Sequence, residues 1–116
     1  MPNVSMKPKY GNKKTVIDGI TFDSKAEANR YTELKWMFHA GAISKLELQP
    51  VYVLAPSVKF NGEARAKPEL RYRADFAYIE NEVKVVEDVK GVETEAFRIK
   101  RHLMKWLHGI DVRVIK

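Results

Sequence analysis

Two periods run through the apolar positions of this chain, and they divide it into strands and helices. In Val83-Lys84-Val85-Val86-Glu87-Asp88-Val89 four valines fall within seven residues, and Gly91 closes the run, which reads as a strand. Side chains alternate along a strand, so Val86, Asp88 and Lys90 share one face while Val83, Val85, Glu87 and Val89 share the other. The preceding run, residues 70–79, predicts a second strand, joined to the first by a turn at Glu80-Asn81-Glu82. Antiparallel pairing then brings Asp75 towards Asp88. Two carboxylates and Lys90 at such a point could hold a divalent metal and a phosphate.

Upstream, residues 15–22 predict a small hairpin about an Asp18-Gly19 turn. A helix should follow, because Ser24-Lys25-Ala26-Glu27 matches a capping box, and it should run to about Ala40 before Gly41 stops it. Glu27, Tyr31, Leu34 and Phe38 fall on one stripe of that helix. Two roles are therefore open to Glu27: reaching back to cap the helix, or aiming a carboxylate towards the sheet. Residues 43–54 have strand character, with Pro50 requiring an edge position or a break. Glu47 and Gln49 share a face there, either lining a site or facing water. Two prolines and an Asn-Gly pair make residues 55–69 a long connection, a hairpin tip or a loop.

The last helix should start at Thr94 as N-cap and run to about His108 before Gly109. Phe97, Ile99, Leu103, Met104, Trp106 and Leu107 occupy one broad apolar arc, with Lys100 in its middle. Lys100 either snorkels out of that arc or meets a carboxylate or phosphate near Lys90. Arg98, Arg101, His102 and Lys105 lie opposite, as a solvated surface or as a phosphate-contacting ridge. Residues 111–115 close the chain as a strand. The order hairpin, helix, strand, long loop, hairpin, helix, strand predicts an α/β sandwich, a mixed central sheet flanked by helices.

Composition narrows the partners. At 116 residues the chain fits one domain, taken as residues 15–116, behind a flexible basic arm over residues 1–14. That arm carries Lys7, Lys9, Lys13 and Lys14 and no acid, so it is either a DNA-contacting arm or a solubilising tail. A net charge of +6 favours a polyanionic partner but does not by itself separate DNA from RNA or from an acidic membrane. The absence of cysteine excludes thiolate metal sites and agrees with a cytoplasmic protein. No apolar run approaches the roughly 18–20 residues of a membrane span, and no signal peptide is visible, so no membrane partner is expected.

Asp75, a connection of about a dozen residues, and then Asp88-Val89-Lys90 together resemble the active-site signature of the PD-(D/E)XK nuclease superfamily. The phrases Gly19-Ile20-Thr21-Phe22-Asp23-Ser24-Lys25-Ala26-Glu27, Leu48-Gln49-Pro50, Tyr72-Arg73-Ala74-Asp75-Phe76 and Glu87-Asp88-Val89-Lys90-Gly91, followed by Thr94, Phe97 and Lys100, are similar to small phage-encoded endonucleases of that superfamily, a group linked to Holliday-junction resolvases. Ala74 stands where the superfamily's name has proline. Glu87 beside Asp88 offers a second acid, and strand alternation favours Asp88, which shares a face with Lys90.

The resemblance implies a restriction-endonuclease-like fold and a Mg²⁺-dependent endonuclease acting on DNA, branched DNA included, in the cytoplasm of the host cell where the chain is phage-encoded. It implies Asp75 and Asp88 as metal ligands with the Val89 backbone carbonyl, Glu27 completing the acidic cluster, and Lys90 handling the nucleophile and the phosphate. Mn²⁺ is the expected substitute for Mg²⁺, and Gln49, Thr94 and Lys100 are expected to support the site. Two symmetric cuts in a junction would call for a homodimer. Two alternatives stand beside the nuclease: a non-catalytic nucleic-acid-binding module, which accounts for the charge but not for Asp75 and Asp88, and a structural protein, in which Asp88 and Lys90 form a surface same-face pair and Glu27 is a helix cap.

Overall fold

A computed structural model describes residues 13–116, and the chain divides into two compact units, Met1–Ala42 and Ile43–Lys116. Of the expected basic arm, Lys7 and Lys9 lie outside the described residues, and Lys13 and Lys14 are exposed.

In the first unit β1 (Thr15–Ile17) and β2 (Ile20–Phe22) pair as an antiparallel hairpin. Asp18 and Gly19 both take left-handed backbone angles, φ 54° and 76°, as a two-residue hairpin turn requires. The turn is tied to helix α1 (Lys25–His39): the Tyr31 hydroxyl donates to Asp18 Oδ2 at 3.0 Å, and Lys35 pairs with the same oxygen. Ser24 is the N-cap, its Oγ accepting from the Glu27 amide at 3.1 Å, and Gly41 at φ 79° follows the end of the helix. Glu27, Ala28, Tyr31 and Leu34 are buried, with the Phe22 and Tyr31 rings 5.0 Å apart. Phe38, expected on the same stripe, is 43% exposed. A fifteen-residue helix spans about 22 Å and a three-residue strand about 10 Å, so the hairpin of this unit is too short to cover the last turn.

The second unit contains β3 (Ser44–Leu48), β4 (Val51–Ala55), β5 (Leu70–Arg73), β6 (Phe76–Glu80), β7 (Val83–Val89), α2 (Glu95–His108) and β8 (Arg113–Ile115). A mixed sheet runs β3-β6-β7-β8, antiparallel except for the β7–β8 pair, which is parallel and joined by α2 as its crossover. The pair β4–β5 forms a separate antiparallel ribbon.

Each of the two long strands expected from the sequence is therefore broken in two. Residues 43–54 break at Gln49-Pro50, and residues 70–79 break at Ala74-Asp75. The breaks face each other: Gln49 N donates to Asp75 O at 2.9 Å, and Ala74 N donates to Pro50 O at 3.0 Å. Pro50 has no N–H to give a ladder, and Gln49 at φ 53° turns the chain, so sheet and ribbon are two arms of one bent strand pair.

On one side of the sheet, Ala77 and Val86 pack with Phe97 and Met104 of α2 and with Leu54 and Tyr72 of the ribbon. On the other side Phe76, Tyr78, Val85 and Glu87 are buried. Helix α2 is capped as expected, with Thr94 Oγ1 accepting from the Phe97 amide at 3.1 Å and Gly109 left-handed at φ 68°. Its buried face is narrower than the expected arc. Only Phe97 and Met104 are buried, while Ile99, Trp106 and Leu107 are 53%, 74% and 43% exposed. The reason is that α2 packs against β4, where His108 Nε2 at the helix end lies 2.9 Å from Val53 O, so the line through Phe97 and Met104 faces inward. Ile99 and Trp106 fall roughly 180–200° around the helix from Phe97.

Candidate active site

At its end β7 enters a cleft of about 500 Å³, bounded by the outer residues of the ribbon and the first turns of α2. Alternation along β7 carries Val86 into the core and Asp88 and Lys90 into this cleft. Asp88 is only 3% exposed. Its Oδ2 accepts from the Tyr72 hydroxyl at 2.5 Å and lies 3.7 Å from Lys90 Nζ. The Lys90 ammonium in turn sits 4.8 Å from the centre of the Phe97 ring, which takes up part of its charge in a cation–π contact.

Asp75 stands at the bend, one register position before the Phe76–Glu87 pair. Its amide donates to Glu87 O at 3.1 Å, and its carboxylate Oδ2 accepts from the Val89 amide at 2.7 Å. The side chain thus binds the peptide that joins Asp88 to Val89. Asp75 is not among the residues lining the cleft, but its charge reaches Tyr72. Burial, then the hydrogen bond to Asp88, then the charges of Asp88 and Asp75, push the Tyr72 phenol far above its ordinary pKa, so it stays a proton donor.

Thr94 and Lys100 also line the cleft, Lys100 exposed and Thr94 at its edge as the helix cap. Gln49 is exposed and takes part through its backbone, which holds Asp75. Glu47 faces solvent and pairs with Lys84 at 2.8 Å. Glu87 lies on the opposite face from Asp88, fully buried, accepting from the Tyr78 hydroxyl, with Arg113 Nη1 4.0 Å away. Glu27 belongs to the first unit, whereas Asp75, Asp88 and Lys90 are brought together within the second.

The ridge of α2 forms its own groove of about 410 Å³, lined by Arg98, Arg101, His102 and Lys105 together with Glu93 and Asp111. Arg101 pairs with Glu93 at 3.9 Å and Asp111 at 3.7 Å, so part of that charge is neutralised internally. Lys116 hydrogen-bonds Glu93 at 2.9 Å and holds its carboxyl below the ordinary range. Arg98 and Lys105 have no ion-pair partner among the described residues.

Among the cleft residues to which the sequence assigned no role at the site are Arg71, Tyr72 and Arg73. Their signal is the alternation Arg-Tyr-Arg, which sends the tyrosine inward, and a buried phenol hydroxyl usually finds a partner. Among the described residues no group of three or more His, Cys, Asp or Glu is arranged to hold a metal ion. The available donors are two carboxylates, Asp75 and Asp88, and hard oxygens of that number suit Mg²⁺, which keeps several waters of its own.

A family described as "Protein of unknown function (DUF1064)" matches residues 7–114. The chain belongs to the DUF1064 family. The match takes in most of both units, including every cleft residue named above. No curated protein matches the chain, and no solved structure does.

Proposed function

We propose that this DUF1064 chain is a Mg²⁺-dependent endodeoxyribonuclease that hydrolyses phosphodiester bonds, with branched or recombining DNA as its substrate and a restriction-endonuclease-like form of the α/β fold. The observation that carries the proposal is the buried Asp88 beside Lys90 in a cleft whose other charges, Arg71, Arg73 and Lys100, are all positive. A cleft serving only to bind DNA gains nothing from a buried carboxylate, which repels phosphate.

Asp75, Asp88 and the Val89 carbonyl would hold the cation, Mg²⁺ or Mn²⁺. Bound there, it would stabilise the negative charge that builds on the phosphodiester oxygens and lower the pKa of a coordinated water. Tyr72 fixes one oxygen of Asp88 by its hydrogen bond, which orients the carboxylate. The Val89 amide does the same for Asp75. Lys90, held between Asp88 and the Phe97 ring, offers an ammonium to the scissile phosphate and to the attacking water. Arg71, Arg73 and Lys100 bind flanking phosphates.

The test is incubation of the full chain with labelled four-way junction, flap, duplex and single-stranded DNA, with Mg²⁺ and with EDTA. Cleavage that needs the metal and disappears in Asp88→Asn is expected. No cleavage of any substrate, or undiminished cleavage by Asp88→Asn in a preparation cleared of host nucleases, overturns it.

A further inference from the structure

The connection between β4 and β5 is long for a loop and yet is organised as an extension of the ribbon. Val58 and Lys67 pair across it, with Lys67 N donating to Val58 O at 2.6 Å and Ser57 Oγ to Lys67 O at 2.6 Å. The tip turns at Asn61-Gly62, where Gly62 is at φ 83° and Glu63 N donates to Phe60 O at 3.2 Å. Loops of this length without function are uncommon in compact domains.

The ribbon has two unlike faces. Tyr72 and Leu54 point into the core, so the cross-strand pairs Val51–Arg73 and Val53–Arg71 point out. Five cations lie between Val51 and Arg73, namely Lys59, Arg65, Lys67, Arg71 and Arg73, against the acids Glu63 and Glu69. Both acids are engaged within the ribbon, Glu63 with Lys67 at 3.3 Å and Glu69 with Arg71 at 2.7 Å. Lys59, Arg65 and Arg73 have no ion-pair partner among the described residues. Phe60 at the tip is 56% exposed.

We infer that this ribbon is an arm that lies in the major groove of double-stranded DNA and leads its backbone to the Asp88–Lys90 cleft. The inference rests on the proposed action on DNA and adds the form of DNA that is gripped and the element that grips it. Excess cations on an exposed surface call for a polyanion. The B-form major groove, about 12 Å wide, admits a two-stranded ribbon, whereas the deep, narrow major groove of duplex RNA does not. The ten residues from Val51 to Phe60 extend at most about 30 Å, close to one turn of B-DNA. Val51, Arg71 and Arg73 belong both to the outer face and to the cleft wall, so the outer face of β4–β5 runs into the site.

The experiment is fluorescence-anisotropy binding in EDTA, where no cleavage occurs, using the full chain with duplex DNA, duplex RNA and single-stranded DNA of one sequence over a range of salt. The variants are Lys59→Ala with Arg65→Ala, and separately Phe60→Ala, all at exposed positions. The parent is expected to prefer duplex DNA to duplex RNA. The double variant should lose about tenfold in duplex-DNA affinity, and the slope of log affinity against log salt should fall by about 1.8, for two phosphate contacts. Phe60→Ala should lose affinity for duplex DNA with the salt slope unchanged. Parent-like affinity and salt slope in the double variant overturns the arm, and equal parent affinity for duplex RNA overturns the major-groove placement. Because the readout is binding without metal, it can fail while the parent cleaves and can succeed if the parent never does.

Discussion

Tyr72 and Asp88 meet across 2.5 Å inside the second unit, the phenol donating to a carboxylate that is 3% exposed. A buried carboxylate is costly unless hydrogen-bonded, so the tyrosine both permits Asp88 in this position and aims it. Tyr72→Phe keeps the ring that packs with Phe97, 6.3 Å away between centroids, and removes only the donor. Expected are a stability loss of about 1–3 kcal/mol by denaturant unfolding and a fall of about 10- to 100-fold in metal affinity or cleavage. Unchanged cleavage over a Mg²⁺ titration would return Tyr72 to the core as a purely structural residue.

Asp88→Asn and Asp75→Asn separate charge from shape. The side-chain amide oxygen that each substitution introduces can still accept a hydrogen bond, from the Val89 amide at position 75 and from the Tyr72 hydroxyl at position 88. Both variants should therefore melt near the parent temperature. Cleavage should fall by at least about a hundredfold in each, because the proposed site loses one of its two anionic oxygen donors. Isothermal titration with Mn²⁺ checks the cause: a variant that binds the ion like the parent but does not cleave would move that carboxylate from metal holding to another role.

The first unit supplies a prediction at the extremes of pH. The hydrogen bond from Lys35, then that from Tyr31, lowers the Asp18 pKa below 3.8, and the hydrogen bond to Asp18 raises that of Lys35 above 10.5. The depressed carboxyl contributes stability that is fully present above 3.8 and is lost as pH falls through its folded value. The raised ammonium contributes below 10.5 and loses its share as pH rises through its own folded value. Asp18→Asn should therefore melt below the parent at neutral pH, and the gap should close in strong acid. A gap that persists at the lowest pH would assign the effect to the turn, where Asp18 has φ 54°, and not to the ion pair.

Elements whose ends carry local chemistry were readable from the sequence. Ser24 and Thr94 cap their helices as expected, Gly109 closes the second, and β7 spans the valine run with Asp88 on the face of Val86. The breaks at Gln49-Pro50 and Ala74-Asp75 were only half legible. Pro50 announced one of them, but Ala74 carries no local signal, and its break arises because it pairs with the first across the sheet. The roll of α2 was not legible, since a broad apolar arc does not say which edge will meet β4. That roll is what leaves Lys100 on the cleft and Trp106 in solvent.

Lys90 and Lys100 line one cleft and should nevertheless fail in different ways. Lys90 is partly buried, 3.7 Å from the Asp88 carboxylate and 4.8 Å from the Phe97 ring centre, so its ammonium is held in place before substrate arrives. Lys100 is exposed and has no ion-pair partner among the described residues, so it is free to take a phosphate. A positioned cation acts on the charge that develops in the transition state, whereas a mobile one binds ground and transition states alike. Methionine keeps most of each apolar stem and deletes the charge. Lys90→Met should lower kcat by about a hundredfold or more with little change in KM. Lys100→Met should raise KM at unchanged kcat, and the difference from the parent should shrink as salt screens phosphate contacts. A kcat loss in Lys100→Met as large as that in Lys90→Met would place both ammonium groups at the reacting phosphate.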